Sequence, residues 1–182
     1  MELDEQGWID DVRRVDSPNF DPRPDPDDIS LLVIHGISLP PGEYGGPWID
    51  QLFTNTLNPE DHSYFSEIIH LRVSSHLLLR RDGELVQYVS LYQRAWHAGI
   101  SSFDGREACN DYSIGVELEG TDDESYTEIQ YQELQRLSQS LMSWFPRLEA
   151  QRIAGHSDIA PGRKTDPGPY FDWDRFRAGL MV

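Results

Sequence analysis

Residues 155–168, GHSDIAPGRKTDPG, gather His156, Asp158, Lys164 and Asp166 within eleven positions of turn-rich chain. Imidazole nitrogen and carboxylate oxygen are donors that a borderline divalent metal such as Zn²⁺ accepts. A catalytic site of this type takes three protein ligands and keeps one position open. Lys164 is the only lysine, the other fourteen basic residues being arginines. An ammonium kept at this place suits a compact point charge rather than a planar fork, although a lone lysine can also be a surface residue. Histidines at 35, 62, 70, 76, 97 and 156 could complete a ligand set. Spacing does not choose among them, because no HExxH or CxxC is present, and a histidine taken singly is more often a hydrogen-bonded or surface residue. A second candidate is the VELEG string, in which Glu117 and Glu119 could move a proton or could lie on a solvated strand face. They share a face, so alternation cannot separate them.

Such groups need rigid strand ends. Residues 152–156 (RIAGH) read as a short strand that delivers His156 into the polar loop, the place where α/β sheets put their sites. Residues 30–35 (SLLVIH) are an apolar, β-branched run typical of a strand buried on both faces. Its period of two puts Leu31, Val33 and His35 on one side, with His35 at the rim. In residues 112–119 (YSIGVELE), Ile114, Val116 and Leu118 alternate against Gly115, Glu117 and Glu119. Residues 71–80 and 84–90 predict antiparallel strands joined through Arg81-Asp82-Gly83. Residues 127–145 predict the one long helix, with Ile129, Leu134, Leu137, Leu141 and Phe145 on one side, Thr127 as N-cap and Pro146 as stop. Residues 172–180 predict a closing helix.

Residues 1–28 read as an extended lead-in, and 15–30, dense in Pro and Asp, as lacking regular structure. Residues 36–70, apart from a brief helix near 48–53, form a long irregular region expected to face substrate. Residues 94–110 read as a loop. The pattern predicts an α/β fold in a single domain, 1–182, with a mixed central β-sheet flanked by helices.

Composition narrows the partners. Thirty-two acidic against fifteen basic residues give a net charge of −17, which repels nucleic acid and anionic membrane surfaces. An anionic small ligand would need local arginines or a metal to draw it in. No apolar run approaches the roughly 20 residues of a membrane span. The acidic start MELDEQGWIDD lacks the pattern of a secretory signal, and the lone Cys109 cannot form a bridge within the chain. A cytoplasmic protein is expected. Cys109 itself is expected to be a small half-buried filler, since no His, Lys or helix start beside it would activate the thiol.

The strings LLVIHGISLPPGEYGGPWID, HLRVSSHLLLRRDGELVQYV, RAWHAGISSFDGREACNDYSIGVELEGTD and GHSDIAPGRKTDPG lie in order within residues 8–176. They closely resemble the AmpD family of bacterial cytoplasmic 1,6-anhydro-N-acetylmuramyl-L-alanine amidases. The resemblance implies the amidase and peptidoglycan-recognition-protein-like fold and one Zn²⁺ held by His35, His156 and Asp166. It implies catalytic roles for Glu117, as the group that moves protons, and for Lys164, as the stabiliser of an oxyanion. Phage amidases and peptidoglycan recognition proteins carry Cys at the third ligand position, so Asp166 places the chain on the AmpD branch. Tyr64, Arg72 and Trp96 match positions of a muropeptide-binding groove, with Arg72 a candidate partner for a peptide carboxylate.

The implied substrate is a cytoplasmic anhydro-muropeptide, cut by a monomer between the lactyl group and L-alanine. The implied purpose is cell-wall recycling, with indirect restraint of β-lactamase induction. Two alternatives are a non-catalytic peptidoglycan-recognition module and an amidase acting on intact peptidoglycan. Against the family pattern, Gly36 stands where Asn is frequent, Ser157 where Cys is frequent, and Ala108 where some members have a basic residue. These departures bear on contacts to peptide or sugar, not on the metal. His70, His76 and His97 remain candidates for partners of the ligand imidazoles. His62 is expected at the surface and Trp48 in the core.

Overall fold

The apolar run after residue 30 and the alternating run after residue 112 form the two longest strands. The computed structural model describes residues 1–181. In chain order it contains β1 (Arg13–Arg14), β2 (Phe20–Pro22), β3 (Leu31–Ile37), α1 (Trp48–Phe53), α2 (Phe65–Ile68), β4 (Leu77–Leu79), β5 (Leu85–Gln87) and β6 (Gln93–Ala95). There follow β7 (Ser102–Phe103), β8 (Arg106–Glu107), β9 (Ser113–Glu119), α3 (Glu128–Trp144), β10 (Ile153–Gly155), α4 (His156–Ile159) and α5 (Trp173–Ala178). Six strands make the central sheet in the order β1-β5-β4-β9-β3-β10. Only the β4–β5 pair is antiparallel, so the sheet is mixed as expected, with helices against it.

Alternation divides the sheet into two buried faces. On one, Leu32, Ile34, Ile114, Val116 and Leu118 pack against Leu134, Leu137 and Leu141 of α3 and Phe176 of α5. Complete burial of each such leucine stabilises the fold by about 1.5–3 kcal/mol. Helix α3 starts at a capping box, in which the Thr127 side chain accepts from the Gln130 amide and Gln130 returns a bond to the Thr127 amide. On the other face, Leu78 joins Leu39, Ile49, Leu52, Phe53 and Phe65 from the 36–70 region, while Leu31 and Val33 pack on Ala98, Cys109 and Ile159. His35 and Glu117 belong to this second face, at the ends of their strands.

The N-terminal expectation needs correction. Phe20–Pro22 pairs antiparallel with β6, and Arg13–Arg14 adds in parallel to β5 at the sheet edge. Both are held by ion pairs: Arg94 of β6 grips Asp21 with two nitrogens, at 2.6 and 2.7 Å, and Arg13 bonds Asp50 of α1 and Glu84 just before β5. Strands of two or three residues have no periodicity to read. The 94–110 loop likewise contains β6 and the β7–β8 hairpin, whose turn uses Asp104 and Gly105, both at positive φ. The hairpin at Arg81-Asp82-Gly83 forms as expected, but β4 is shorter than residues 71–80 because the chain before it bonds elsewhere: the Ser74 amide donates to the Trp96 carbonyl, and Asn19 takes the Val73 carbonyl. Cys109 is fully buried rather than half-buried, and its Sγ lies 3.3 Å from the Tyr112 hydroxyl. Among the described residues no helix is long and apolar enough to cross a membrane.

Candidate metal centre and active site

Strand register alone brings the separated residues together. In the parallel β3–β9 ladder His35 stands opposite Glu117, and in the β10–β3 ladder Gly155 stands opposite Ile34, so His156 leaves β10 level with His35. All three sit at carboxyl ends of parallel strands, where α/β sheets open a crevice. Asp166 returns to the same point through the loop after α4. The Ser157 amide donates to its carbonyl at 2.9 Å, and the Gly36 amide donates to its Oδ2 at 3.4 Å.

Three donor atoms converge there. Nδ1 of His35 and Nδ1 of His156 are 2.9 Å apart, and Asp166 Oδ2 lies 3.1 Å from the second and 3.3 Å from the first. Metal–ligand bonds of about 2.0–2.1 Å in a tetrahedron require ligand atoms roughly 3.4 Å apart, close to this triangle. The far nitrogens are occupied: His35 Nε2 lies 2.9 Å from His97 Nδ1, and His156 Nε2 lies 3.1 Å from the Ala98 carbonyl. With the ring protons on those far nitrogens, two lone pairs and a carboxylate face one another. A cation resolves that repulsion, so the residues fit a divalent metal; these three are the group among the described residues that could hold one.

The electrostatics agree. Burial pushes His35 down to about 4 against the pull of Asp166, so its imidazole is neutral and available. Burial would raise the Asp166 carboxyl, but its close contacts with the His156 and His35 rings outweigh that and hold the group well below its ordinary value. Glu117 is raised well above its ordinary value, by burial and then by the Asp166 charge, with Lys164 opposing. Its Oε2 is shut off from solvent and has no hydrogen-bond partner among the described residues.

The two glutamates of VELEG therefore differ sharply. Glu119 is tied down: it accepts from the Gly45 amide at 2.7 Å, from the Arg81 amide at 3.2 Å and from Arg80 Nη1 at 3.3 Å. It anchors the glycine turn of the 36–70 region, whereas Glu117 lines one cavity with His35, His156 and Asp166.

A cavity of about 320 Å³ opens over these groups, with His35, Glu117, His156, Lys164 and Asp166 in its lining. Its walls include Leu39, Phe53, Tyr64 and Ile68 from the 36–70 region, and Trp96. The Trp96 indole donates to Asp21 Oδ1 at 3.1 Å, a link to the N-terminal segment that sequence reasoning missed. Arg72 lies outside this lining, exposed, its Nη1 donating to the Ile69 and Leu71 carbonyls at 3.0 Å each. His62 is half-buried beside Phe65, His70 is exposed, and Trp48 packs on Phe65. Larger hollows of about 540 and 590 Å³ lie elsewhere and include none of His35, His156 and Asp166.

Burial of so many imidazoles has a measurable consequence. His35, His76 and His97 are all kept neutral, His76 pushed down by burial to about 3 and His97 well below its ordinary 6.5. The unfolded chain protonates these three as pH falls below 6.5, while the folded chain does not. Glu117 acts in the opposite sense, because its folded carboxyl holds a proton above 4.5 that the unfolded one has lost. Asp166, held low, adds a loss only below 3.8. The unfolded metal-free chain thus binds more protons in the window from 6.5 to about 4. Its stability falls on acidification by about 1.4 kcal/mol per pH unit for each net proton. Thermal melts of chelator-stripped protein are expected to show a lower Tm at pH 5 than at pH 7; an equal or higher Tm at pH 5 contradicts neutral burial.

Residues 25–169 match the model of the N-acetylmuramoyl-L-alanine amidase family, and the chain belongs to that family. Within it, the chain is 61% identical over 173 residues to the 1,6-anhydro-N-acetylmuramyl-L-alanine amidase AmpD of Escherichia coli (strain K12), covering 95% of this chain and 94% of that one. A crystal structure of a selenomethionine AmpD derivative superposes with a TM-score of 0.95 at 60% identity, covering 99% of both chains. The E. coli amidase AmiD, in complex with the substrate anhydro-N-acetylmuramic acid-L-Ala-D-γ-Glu-L-Lys, superposes with a TM-score of 0.61 at 27% identity, covering 97% of this chain and 65% of that one.

Proposed function

We propose that this chain is a Zn²⁺-dependent 1,6-anhydro-N-acetylmuramyl-L-alanine amidase. It hydrolyses the amide between the lactyl group and L-alanine of anhydro-muropeptides. The observation that carries the reading is the His35–His156–Asp166 triangle with the partnerless Glu117 oxygen beside it, in one cavity. The similarity to AmpD supports this choice of bond, and the AmiD complex supports an anhydro-muropeptide as ligand. One metal ion is held by His35, His156 and Asp166. When bound, it supplies Lewis acidity, acidifying water and polarising the amide carbonyl.

The chain's own groups do the rest. Glu117 accepts a proton from the attacking water on its free Oε2 and returns it to the departing L-alanine nitrogen, a two-way duty served by a carboxyl whose proton affinity is raised by burial. Lys164, at the cavity lining, places an ammonium where negative charge develops on the attacked carbonyl oxygen. Trp96, fixed by Asp21, and Tyr64 supply aromatic wall for the sugar and peptide. Arg72, in sequence between the lining residues Leu71 and Val73, is the partner for a stem-peptide carboxylate once it leaves the Ile69 and Leu71 carbonyls. The chain acts as a cytoplasmic monomer, in recycling of wall fragments and in limiting the induction of β-lactamase by them.

Incubation of Zn²⁺-loaded protein with anhydro-muropeptide and, separately, with intact murein, followed by mass spectrometry of released stem peptide, tests the proposal. Release from the soluble fragment alone is expected. Release mainly from murein favours the intact-wall amidase, and none from either refutes the enzyme. In the same assay Lys164→Ala is expected to cut turnover by about 10²- to 10³-fold, the usual value of one oxyanion donor, with metal content unchanged. Loss of the metal in that variant would instead assign Lys164 to holding the site together.

A further inference from the structure

We infer that the dipeptide His97–Ala98, clamped by Asn110, braces the metal centre from behind, and that His97 is the positioning residue that decides which nitrogen of His35 faces the metal. The inference rests on the metal reading above. Its geometry is complete on the protein side. His97 Nδ1 lies 2.9 Å from His35 Nε2, and the Ala98 carbonyl lies 3.1 Å from His156 Nε2. Adjacent residues therefore supply the outer partners of both ligand imidazoles. A single side chain holds the pair: Asn110 Oδ1 accepts from the His97 amide at 3.2 Å and from the Ala98 amide at 2.8 Å.

The direction of each hydrogen bond follows from the donor set. For Nδ1 of His35 to offer its lone pair, the ring proton must sit on Nε2, so His97 Nδ1 must accept it. The His97 proton then sits on its own Nε2, which lies 3.1 Å from the hydroxyl of Ser113, a fully buried residue at the start of β9. The ring needs a notch to reach this place, and Gly115 makes it. A Cβ at Gly115 would lie 2.5 Å from Cγ and 2.6 Å from Nδ1 of His97, closer than real Cβ contacts come. The strand face that carries Glu117 is thus cut away two residues earlier to admit His97. An imidazole in this position, unlike the carboxylate that often orients a metal-bound histidine, adds no negative charge, so Asp166 is the one anionic ligand.

Two variants separate a hydrogen-bonding role from simple packing. His97→Asn keeps an acceptor near the Nδ1 position, while His97→Phe keeps a ring and removes the acceptor. Zn²⁺ affinity, measured by competition with a chromophoric chelator, is expected to fall about 10- to 100-fold in His97→Phe and to be largely retained in His97→Asn. Long-range ¹H–¹⁵N spectra of the Zn²⁺-loaded wild type are expected to show His35 protonated on Nε2. Equal weakening in both variants, wild-type affinity in a folded His97→Phe, or an Nδ1 proton on His35 would each overturn the inference. If His97→Phe does not fold, Gly115→Ala serves: it should weaken binding when His97 is present and add nothing in a His97→Ala background, and an equal loss in both backgrounds counts against the brace. A wild-type protein that binds no Zn²⁺ overturns the metal reading itself, a result distinct from any of these.

Discussion

Replacing Glu117 by Gln is expected to leave the fold and the metal content intact while turnover falls roughly 10²- to 10⁴-fold, the usual contribution of a positioned acid–base group. The substitution keeps shape and removes only the ability to take up and release a proton. Nothing structural is lost with it, because Oε2 has no hydrogen-bond partner to abandon. The charge itself is unfavourable where it sits. Burial raises the folded carboxyl well above 4.5, so stability present below that value is lost as pH rises through the folded pKa. The metal-free Gln variant should therefore match or exceed the wild type in Tm at neutral pH. Glu119→Gln gives the opposite signature: it weakens bonds to Gly45, Arg80 and Arg81 at a buried position, so Tm drops and turnover changes less than in Glu117→Gln. Measured kcat, metal content and Tm on both variants decide the matter. Near-normal turnover in Glu117→Gln would remove this residue from the chemistry.

That contrast shows how far the sequence could be read. Period-two alternation correctly put Gly115, Glu117 and Glu119 on one face of β9, and the apolar run put His35 in β3, which continues two residues past it to Ile37. What distinguishes the glutamates lies at residues 45, 80 and 81, which reach Glu119 through tertiary structure that no spacing records. The metal triangle is similar. His35, His156 and Asp166 are brought together by the register of two parallel strands and a returning loop, and family resemblance, not pattern, selected the aspartate and the two of six histidines. The β7–β8 turn was readable, since Asp104-Gly105 carries the same signal as Asp82-Gly83. The pairing of β2 with β6 was not. It depends on Arg94 meeting Asp21 across 73 positions of sequence, and no periodicity marks strands so short.

The largest effect on metal binding is expected from Asp166→Asn. The two imidazoles contribute no charge, so the carboxylate is the only anionic ligand, and its replacement by an isosteric amide leaves the donor geometry while removing the attraction. Depriving a buried cation of its anionic partner costs about 3–5 kcal/mol, or roughly 10²- to 10⁴-fold in affinity. Turnover should fall to background as the metal leaves on dialysis. The fold should survive, because the Asp166 backbone contact to Ser157 and the bond from the Tyr126 hydroxyl to the Pro167 carbonyl, 2.9 Å each, do not involve the substituted group. A chelator-competition titration with a Tm measured on the same sample separates the outcomes. Metal retained at wild-type affinity would mean that the anionic ligand is another carboxylate. Glu117 is the only other carboxylate in the cavity lining, so the metal would then have to claim it, and proton transfer would pass to a different group.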